Sequence, residues 1–246
     1  TLDVINSLHD SRIRVVYQLQ KSGPGGARNI GIDSSTGEYL GFVESDDFIE
    51  KDFYRKLYQR IENDKSDIAW GEICRQDKNT MWTLHDRNSV ETVFFEKYSK
   101  VSNGASFDKL FKASLIKNHS IRFTEKLRYE DNPFLLKAFY YSDKISLVKN
   151  AIYFYGLTPH SSEYREKLKR CVIPIAAEMT EFAKACHFSQ REMKLLQKKI
   201  IKSFASSFIF EPDVYIPLKE ISGIPFRFKI RYLKRKLKSI FKRKNN

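Results

Sequence analysis

Cysteine is scarce in this sequence, and its pattern excludes two common ways of stabilising a protein. The chain of 246 residues contains three cysteines, an odd number, and no Cys-x-x-Cys pair. Neither a disulfide framework nor a structural zinc site is therefore indicated. With 41% hydrophobic and 14% aromatic residues, the chain can instead bury a sizeable core. We therefore expect a globular protein of the reducing cytoplasm.

Long hydrophobic runs are also missing. No apolar stretch approaches the roughly 20 residues that a membrane-spanning helix requires. Residues 1–8 do not have the basic and apolar regions of a signal peptide. Acidic residues are missing from positions 227–246, which contain ten Lys or Arg. Since the net charge of the whole chain is +14, most of the excess positive charge lies in this C-terminal tail.

The tail combines this charge with apolar residues at helical spacing. Those residues are Phe226, Ile230, Leu233, Leu237, Ile240 and Phe241. The spacing predicts an amphipathic helix over 226–246 with one apolar and one strongly basic face, which suits an anionic membrane surface. Two alternatives are a helix packed on the rest of the protein with a solvated basic face, and a nucleic-acid patch. Nucleic acid is disfavoured, because the charge is confined to a tail rather than spread over a domain.

Acidic residues are concentrated at the end of an apolar segment. Residues 39–43 read as a buried strand, and Glu44, Asp46 and Asp47 follow within four positions, in what we call the acidic loop (44–47). Carboxylates this close repel one another unless a cation or hydrogen-bond donors compensate their charge. A hard cation such as Mg²⁺ or Mn²⁺ is suited to that task, which predicts a metal and diphosphate site. The alternative is a solvated strand end with an Asp-rich helix cap.

Two further motifs flank the acidic loop. Upstream, a Gly-rich turn at 22–26 leads into Ala-Arg-Asn-x-Gly at 27–31, followed by Gly-Glu-Tyr at 37–39. The turn lacks the Lys-Ser/Thr of a P-loop and does not fit Gly-x-Gly-x-x-Gly. Downstream, Glu130 and Asp131 open a predicted helix, where capping alone would also favour an acid. In this order, over residues 12 to about 160, the motifs resemble glycosyltransferase family 2, the inverting enzymes with a GT-A fold.

The resemblance implies residues for the nucleotide-sugar donor and for the metal. Asp46 matches the family's metal-coordinating acid, and Glu44 stands where the family usually has Asp, near the ribose and the metal. Ser45 lies between these two acids, and Arg28 matches a position that approaches the nucleotide. His160 is a candidate further metal ligand, since imidazole binds Mn²⁺ acceptably, and a solvated loop histidine is the alternative.

The resemblance also implies a reaction. A nucleoside diphosphate leaves the anomeric carbon of a sugar while a hydroxyl of a glycan or lipid-linked acceptor attacks from the opposite face. Mn²⁺ or Mg²⁺ stabilises the leaving diphosphate. The expected donor is a uridine diphosphate sugar. Asp131 matches the base that accepts the hydroxyl proton. Asp47 is expected to orient the following turn, and Gly156 and Thr158 stand where the family often has basic residues.

The order of elements predicts an α/β protein with a mostly parallel, doubly wound sheet of GT-A type and a C-terminal helical extension. The predicted strands are 12–18, 39–43, 67–74, 144–148 and 152–155, and the predicted helices are 26–34, 52–63, 91–98, 111–118 and 132–141. We divide the chain into a GT-A domain (1–162), a helical extension (163–225) and the basic tail (226–246). In the extension, Ser189 and Glu192 form a predicted capping box, and Pro174 lies inside a predicted helix.

The resembled family begins with two strands and an intervening helix that have no counterpart here, so we expect the GT-A sheet to be N-terminally incomplete. Two other functions stay open. One is a non-catalytic membrane-surface module derived from a decayed glycosyltransferase, and the other is a metal-dependent nucleotidyltransferase. The second acidic pair favours glycosyl transfer over nucleotidyl transfer. We expect a cytoplasmic protein on the inner face of the cell membrane, bound through its tail and acting in cell-surface polysaccharide synthesis.

Overall fold

The structure is a computed structural model that describes residues 2–18, 20–75, 80–82, 90–91, 105–156 and 162–209. Within these ranges the helices are α1 (Leu2–Asn6), α2 (Gly23–Ser34), α3 (Phe53–Asp64), α4 (Ala113–Asn118), α5 (Asp131–Tyr141), α6 (Ser162–Ala185) and α7 (Gln190–Ile209). The strands are β1 (Tyr39–Gly41), β2 (Phe48–Ile49), β3 (Ile68–Arg75), β4 (Thr80–Trp82), β5 (Val90–Glu91), β6 (Lys109–Lys112) and β7 (Lys144–Tyr155). The predicted α/β class is confirmed. His160, the basic tail and most of the predicted helix 91–98 lie outside the described residues.

The described strands form one mixed sheet, which corrects the prediction of a mostly parallel one. Its order is β1-β6-β3-β7-β2, with β4 also pairing with β3 and β5 with β7. Only β3 and β7 run parallel among the described strands, and the other pairs are antiparallel. Alternating strands and helices predict parallel neighbours only where consecutive strands lie side by side. Here β6 enters between β1 and β3 in the opposite direction, and the sequence pattern did not indicate that insertion.

The predicted strand at 12–18 is wrong. None of the described strands includes these residues, and their apolar side chains Ile13, Val15, Val16 and Tyr17 are exposed. Alternation indicates a strand only if a neighbouring strand supplies hydrogen bonds and one face is buried. The segment is instead attached to α2 by the Arg14 guanidinium, which donates to the Ser34 carbonyl at 3.1 Å.

Helix α3 covers one face of the sheet because its apolar residues recur every four positions. Phe53, Leu57 and Ile61 are fully buried and pack in a cluster that includes Ala69 of β3 and Tyr153 of β7. Burying side chains of this size contributes roughly 1.5–3 kcal/mol each. Lys65 ends the helix in the left-handed conformation at a φ of 53°. The helix therefore packs against the face of the sheet formed by β3 and β7, the strands that lie next to the site.

The opposite face of the sheet packs against α5, α6 and α7. One continuous apolar cluster joins the strands to these helices, with Trp70, Leu147, Phe134, Ile175 and Leu196 among its buried members. The predicted capping box at the start of α7 is confirmed, because Ser189 N donates to Glu192 Oε2 at 2.7 Å and Glu192 N donates to Ser189 Oγ at 3.3 Å. Helix α6 continues through Pro174. The domain boundaries at 162 and 225 stay predictions.

None of the helices in the described part of the chain is both long and apolar enough to cross a lipid bilayer.

Gly71 lies where β3 and β7 change register, and we expect Gly71→Ala to destabilise the fold. An added Cβ would lie 2.7 Å from the Ala151 carbonyl oxygen and 3.0 Å from a ring carbon of Phe53, so backbone must move. Such overpacking costs typically 1–3 kcal/mol. The matched control is Gly31→Ala in α2, where an added Cβ meets nothing within 4 Å. Denaturant unfolding should show the control to be neutral or slightly stabilised, and equal midpoints for both variants would contradict this account.

Candidate active site

The acidic loop is anchored in the core on its N-terminal side. Phe42 directly precedes the loop, and its ring makes edge contacts with Phe123 and Phe134 at centroid distances of 5.1 and 5.8 Å. Aromatic pairs in this arrangement hold their partners in a defined orientation. The chain thus leaves the core at a fixed point, and the next residues, including the exposed Ser45 and Asp46, emerge at the surface.

Tyr153 of β7 anchors the other side of the acidic loop. Its hydroxyl accepts from Glu44 N at 3.1 Å and donates to Asp47 Oδ2 at 2.7 Å. Burial raises the pKa of Tyr153, so its hydroxyl stays protonated and remains a donor. Gly156 N donates to Asp47 Oδ1 at 2.7 Å. Both carboxylate oxygens of Asp47 are therefore used to hold the loop, in line with the expected orienting role of this residue.

A close backbone contact explains why position 156 has glycine rather than a basic residue. A Cβ added there would lie 2.5 Å from the Asp46 carbonyl oxygen, closer than real Cβ contacts allow. Close approach of two backbones is a common reason for glycine. In this chain the end of β7 supports the acidic loop directly, and residue 156 has no room for a side chain that could contact a diphosphate.

Arg28 of α2 connects the acidic loop to the start of α5. Its Nε donates to Glu44 Oε1 at 3.1 Å, Nη2 donates to the same oxygen, and Nη1 donates to Glu130 Oε1 at 2.6 Å. The guanidinium lies 5.1 Å from the centroid of the Phe123 ring, and its side chain is only 13% exposed. Burial lowers the pKa of Arg28, but the negative charges of Asp131, Glu44 and Glu130 raise it by more than burial lowers it. The guanidinium therefore stays positively charged.

The Gly-rich turn serves close packing, which positions Arg28. A Cβ on Gly25 would lie 2.2 Å from the Thr124 carbonyl oxygen, so only glycine lets α2 approach the 121–126 segment this closely. The neighbouring Asn29 fixes the same contact through both ends of its amide. Its Nδ2 donates to the Phe123 carbonyl at 3.0 Å, and its Oδ1 accepts from Phe123 N at 2.9 Å. Within the Ala-Arg-Asn motif, Asn29 thus holds α2 against the neighbouring segment, and Arg28 bonds to the two acids.

Asp131 is the first residue of α5, and its environment differs from that of a helix cap. The N-cap residue Glu130 makes no side-chain cap hydrogen bond, and its carboxylate accepts from Arg28 instead. Asp131 Oδ1 is buried, and it has no hydrogen-bond partner among the described residues. Ser106 Oγ is buried as well, and its hydroxyl acts to lower the pKa of Asp131. A buried polar atom without a partner is uncommon and marks a candidate reactive group.

Charge and burial set the protonation of Asp131. Burial is the largest influence and raises the pKa of Asp131 to about 6. Glu130 and Glu44 act in the same direction, and Arg28 and the Ser106 hydroxyl oppose them. The group is therefore ionised at neutral pH but holds its proton more strongly than an ordinary aspartate. This is the balance that general-base catalysis requires.

A divalent cation fits this site only together with a ligand that supplies further oxygens. Within the described ranges, no three His, Cys, Asp or Glu side chains are grouped to hold a metal ion. Asp46 is exposed, and both bonds from Arg28 go to Oε1 of Glu44, which leaves Oε2 available. Mg²⁺ is commonly bound by one or two carboxylates plus substrate phosphates. The donor set is thus compatible with a metal–diphosphate complex, and the predicted third ligand His160 lies outside the described residues.

The structure brings Arg28, Glu44 and Asp131 into one cluster, with Ser45 and Asp46 exposed beside it. Sequence reasoning missed Tyr153, because a tyrosine in an apolar strand reads as a core residue. It also missed Ser106, which no motif marks. The aromatic run at 153–155, directly before Gly156, is the one signal in the sequence that the end of this strand is unusual.

Comparison with known proteins bears on the family and the fold of this chain. The family described as glycosyl transferase family 2 matches residues 1–123. The putative glycosyltransferase EpsH of Bacillus subtilis (strain 168) is 30% identical over 172 residues, which cover 65% of this chain and 49% of that protein. The poly(ribitol-phosphate) beta-N-acetylglucosaminyltransferase TarS of Staphylococcus aureus (strain Mu50) is 27% identical over 160 residues, which cover 63% of this chain and 28% of TarS. The chain thus spans about half or less of these relatives.

A solved structure shares the fold. The crystal structure of S. aureus TarS 1–349 in complex with UDP-GlcNAc superposes with a TM-score of 0.66 at 19% identity, covering 95% of this chain and 66% of that one. The mixed sheet and the flanking helices therefore define an α/β protein of GT-A type. The chain belongs to glycosyltransferase family 2.

We expect Asp131→Asn to stabilise the protein at pH 8 and to change its stability little at pH 4. Since the pKa of Asp131 rises from 3.8 to about 6, the folded state binds the proton more tightly than the unfolded state. Stability is thus lost as the pH rises through this window, on the order of 1–3 kcal/mol. The amide carries no charge and avoids this loss. Thermal unfolding at both pH values measures the effect, and a pH-independent difference would contradict it.

Proposed function

We propose that this chain carries catalytic machinery of an inverting glycosyltransferase that acts in cell-surface polysaccharide synthesis. The sugar comes from a nucleotide-diphosphate sugar and is transferred to a hydroxyl of a glycan or lipid-linked acceptor. The observation that carries the proposal is the half-buried Asp131 carboxylate, whose Oδ1 is buried and which shares the Arg28 cluster with the acidic loop. By its bonds to Glu44 and Glu130, Arg28 fixes the acidic loop relative to the start of the helix that bears Asp131. Displacement at one carbon requires the base and the leaving group to be held in such a fixed relation.

Asp131 acts as the base in this proposal. As the acceptor oxygen bonds to the anomeric carbon, its proton passes to the Asp131 carboxylate, and the bond to the diphosphate breaks on the opposite face. Arg28 keeps Glu44 and Glu130 compensated, so that three carboxyl groups tolerate one another in a partly buried site. Tyr153 holds the acidic loop through Glu44 N and Asp47 while the donor is bound.

The leaving diphosphate would be bound at the exposed end of the acidic loop. Asp46 and the second oxygen of Glu44 would hold Mn²⁺ or Mg²⁺, which supplies positive charge to the developing diphosphate when it is bound. Ser45 lies between these acids and is placed to contact the donor. The other proposed ligand, His160, is tested by the same measurements as Asp46.

The relatives support a uridine diphosphate sugar and a polymeric acceptor. TarS is a poly(ribitol-phosphate) glycosyltransferase by name, and its structure was determined with UDP-GlcNAc. We propose by analogy that the donor is a uridine diphosphate sugar.

We expect Asp131→Asn to lower kcat by roughly 10²-fold or more while the donor affinity changes little, because a general base acts in the transition state. In the parent, kcat/KM should fall as the pH drops below about 6, where Asp131 takes up a proton. Steady-state transfer assays and calorimetric binding of the donor measure the two effects. The matched control is Asp143→Asn, just beyond the other end of α5, which should behave like the parent. Equal turnover in Asp131→Asn would reduce this residue to a structural role.

Metal dependence predicts a loss of donor binding rather than a loss of fold. A chelator or Asp46→Ala should weaken binding of a uridine diphosphate sugar by about tenfold or more in calorimetry, since the cation links the carboxylate to the diphosphate. Asp33→Ala, which removes an exposed acid at the end of α2, serves as the control. His160→Ala receives the same measurement. Donor affinity that resists both the chelator and Asp46→Ala would argue against a metal at this loop.

We further propose that the basic tail holds the protein on the inner face of the cell membrane. Each Lys or Arg near an anionic surface contributes on the order of 1 kcal/mol, and apolar side chains add a part that salt does not screen. Truncation before Phe226 should release the protein from vesicles containing anionic lipid in a sedimentation assay and leave donor hydrolysis intact. A full-length protein that ignores anionic vesicles at low salt, together with a truncated protein that precipitates, would make the tail a structural brace.

A further inference from the structure

The ring of Phe107 packs against Tyr153, the residue that anchors the far side of the acidic loop. The two rings stack with their centroids 4.4 Å apart and an angle of 29° between their planes. Phe53 of α3 makes an edge contact with the same Tyr153 ring at 6.0 Å. Tyr153 is fully buried, whereas Phe107 is half-buried. Close packing by these two rings leaves the Tyr153 ring little freedom to move.

The Tyr153 hydroxyl joins the two ends of the acidic loop. It accepts from Glu44 N at 3.1 Å and donates to Asp47 Oδ2 at 2.7 Å. Asp47 N also donates to the Glu44 carbonyl at 3.3 Å, which closes the loop as a four-residue turn. The exposed Ser45 and Asp46 lie between these fixed ends. The position of the Tyr153 ring therefore sets the position of the two exposed residues.

A buried ion pair holds the segment that carries Phe107. Lys109 of β6 and Asp108 are both fully buried. Lys109 Nζ donates to Asp108 Oδ1 at 2.5 Å and to the Ala105 carbonyl at 2.6 Å. The other oxygen of Asp108 accepts from the indole nitrogen of Trp70 at 2.8 Å. The chain is thus held on both sides of Phe107.

Fold stability alone gives little reason for an ion pair at this place. Both charges lose their hydration, and replacing a buried ion pair by apolar residues is often neutral or stabilising. A buried polar cluster whose groups are hydrogen-bonded does, however, restrict its segment to one arrangement. The side chain that is restricted here is Phe107, whose ring faces Tyr153.

We propose that Phe107 is a positioning residue for donor binding. The buried ion pair fixes the segment around Phe107, Phe107 fixes the ring of Tyr153, and the Tyr153 hydroxyl fixes the acidic loop. A loop that is already fixed loses little entropy when a ligand binds, so a loosened Phe107 should weaken donor binding rather than slow the transfer step. The effect on the donor rests on the proposed function, whereas the contacts that fix the loop do not.

The first measurement requires no activity. The full chain is labelled with ¹⁵N, and amide hydrogen exchange is followed at Glu44, whose N–H is bonded to the Tyr153 hydroxyl. Phe107→Leu keeps an apolar side chain but removes the flat ring. We expect the Glu44 amide to exchange about three- to tenfold faster in this variant, because one aromatic contact is lost. Phe107→Tyr keeps the ring and should exchange like the parent.

The second measurement is calorimetric binding of a uridine diphosphate sugar in the presence of Mn²⁺. In Phe107→Leu we expect the donor Kd to rise about three- to tenfold, while kcat at saturating donor stays within about twofold of the parent. The matched control is Phe182→Leu, since Phe182 is also half-buried and its ring packs on Tyr140 at 5.4 Å, in the other apolar cluster. The control should lose stability in denaturant unfolding yet keep the parent's donor Kd and Glu44 exchange.

A double-mutant cycle tests whether Phe107 acts through Tyr153. Tyr153→Phe keeps the stacked ring and removes the hydroxyl that joins the ends of the loop. In that background Phe107→Leu should change the donor Kd by less than about twofold, because the link to the loop is already broken. Additive effects would overturn the proposal, and so would parent-like Glu44 exchange in folded Phe107→Leu. Faster Glu44 exchange in a chain that binds no nucleotide sugar would support the fixing of the loop by Phe107 and refute the proposed function, so the two failures are distinct.

A second variant covers the case in which Phe107→Leu does not fold. The double variant Asp108→Asn with Lys109→Met leaves no unpaired buried charge and does not alter the Phe107 ring. We expect the Glu44 amide to exchange faster and the donor Kd to rise, each by about twofold or more, as the segment loses its anchor. An exchange rate and a donor Kd that both match the parent would overturn the proposal.

Discussion

One buried guanidinium compensates the carboxyl groups on which the candidate site depends. Arg28 donates to Glu44 and to Glu130, and its charge also acts on Asp131. Without it, three acids would lie together in a partly buried place, where uncompensated charge costs several kcal/mol. The two bridged acids are 16 and 102 residues away in sequence. The bridge therefore forms only when α2, the acidic loop and the start of α5 have all reached their places.

The packing around Arg28 limits how far this bridge can move. Asn29 and Gly25 hold α2 against the 121–126 segment, and Phe42 anchors the chain in front of the acidic loop. Tyr153 and Gly156 secure the far side of the loop from the end of β7. Groups that are fixed by packing and by a second layer of hydrogen bonds lose little entropy when a ligand binds. The exposed Ser45 and Asp46 lie at the surface of this fixed loop, where we propose that the donor binds.

Local patterns predicted the local features well. The four-residue spacing of Phe53, Leu57 and Ile61 gave α3, and the Ser189-x-x-Glu192 pattern gave the start of α7. The acidic pair at the start of α5 was also located correctly, and the carboxylates of the pair serve Arg28 and the buried site rather than the helix cap. These features depend on a few neighbouring residues, whose spacing is visible in the sequence.

Features that depend on distant partners were harder to predict. The segment at 12–18 alternates like a strand, yet no described strand pairs with it, and β6 reverses the direction expected between β1 and β3. Tyr153 reads as an ordinary strand residue, because its importance comes from the groups that surround it after folding. The family motifs marked the charged residues of the site, whereas the residues that hold them in place carry no local signature.

The most direct test of this account is the coupling energy between Arg28 and Glu130. A double-mutant cycle with Arg28→Met, Glu130→Gln and the double variant, measured by denaturant unfolding at pH 8 and low salt, isolates the interaction. We predict a favourable coupling on the order of 1–3 kcal/mol, since both side chains are largely buried and lie 2.6 Å apart. Additive effects, with a coupling within about 0.3 kcal/mol of zero, would contradict the claim that this cation holds the site together.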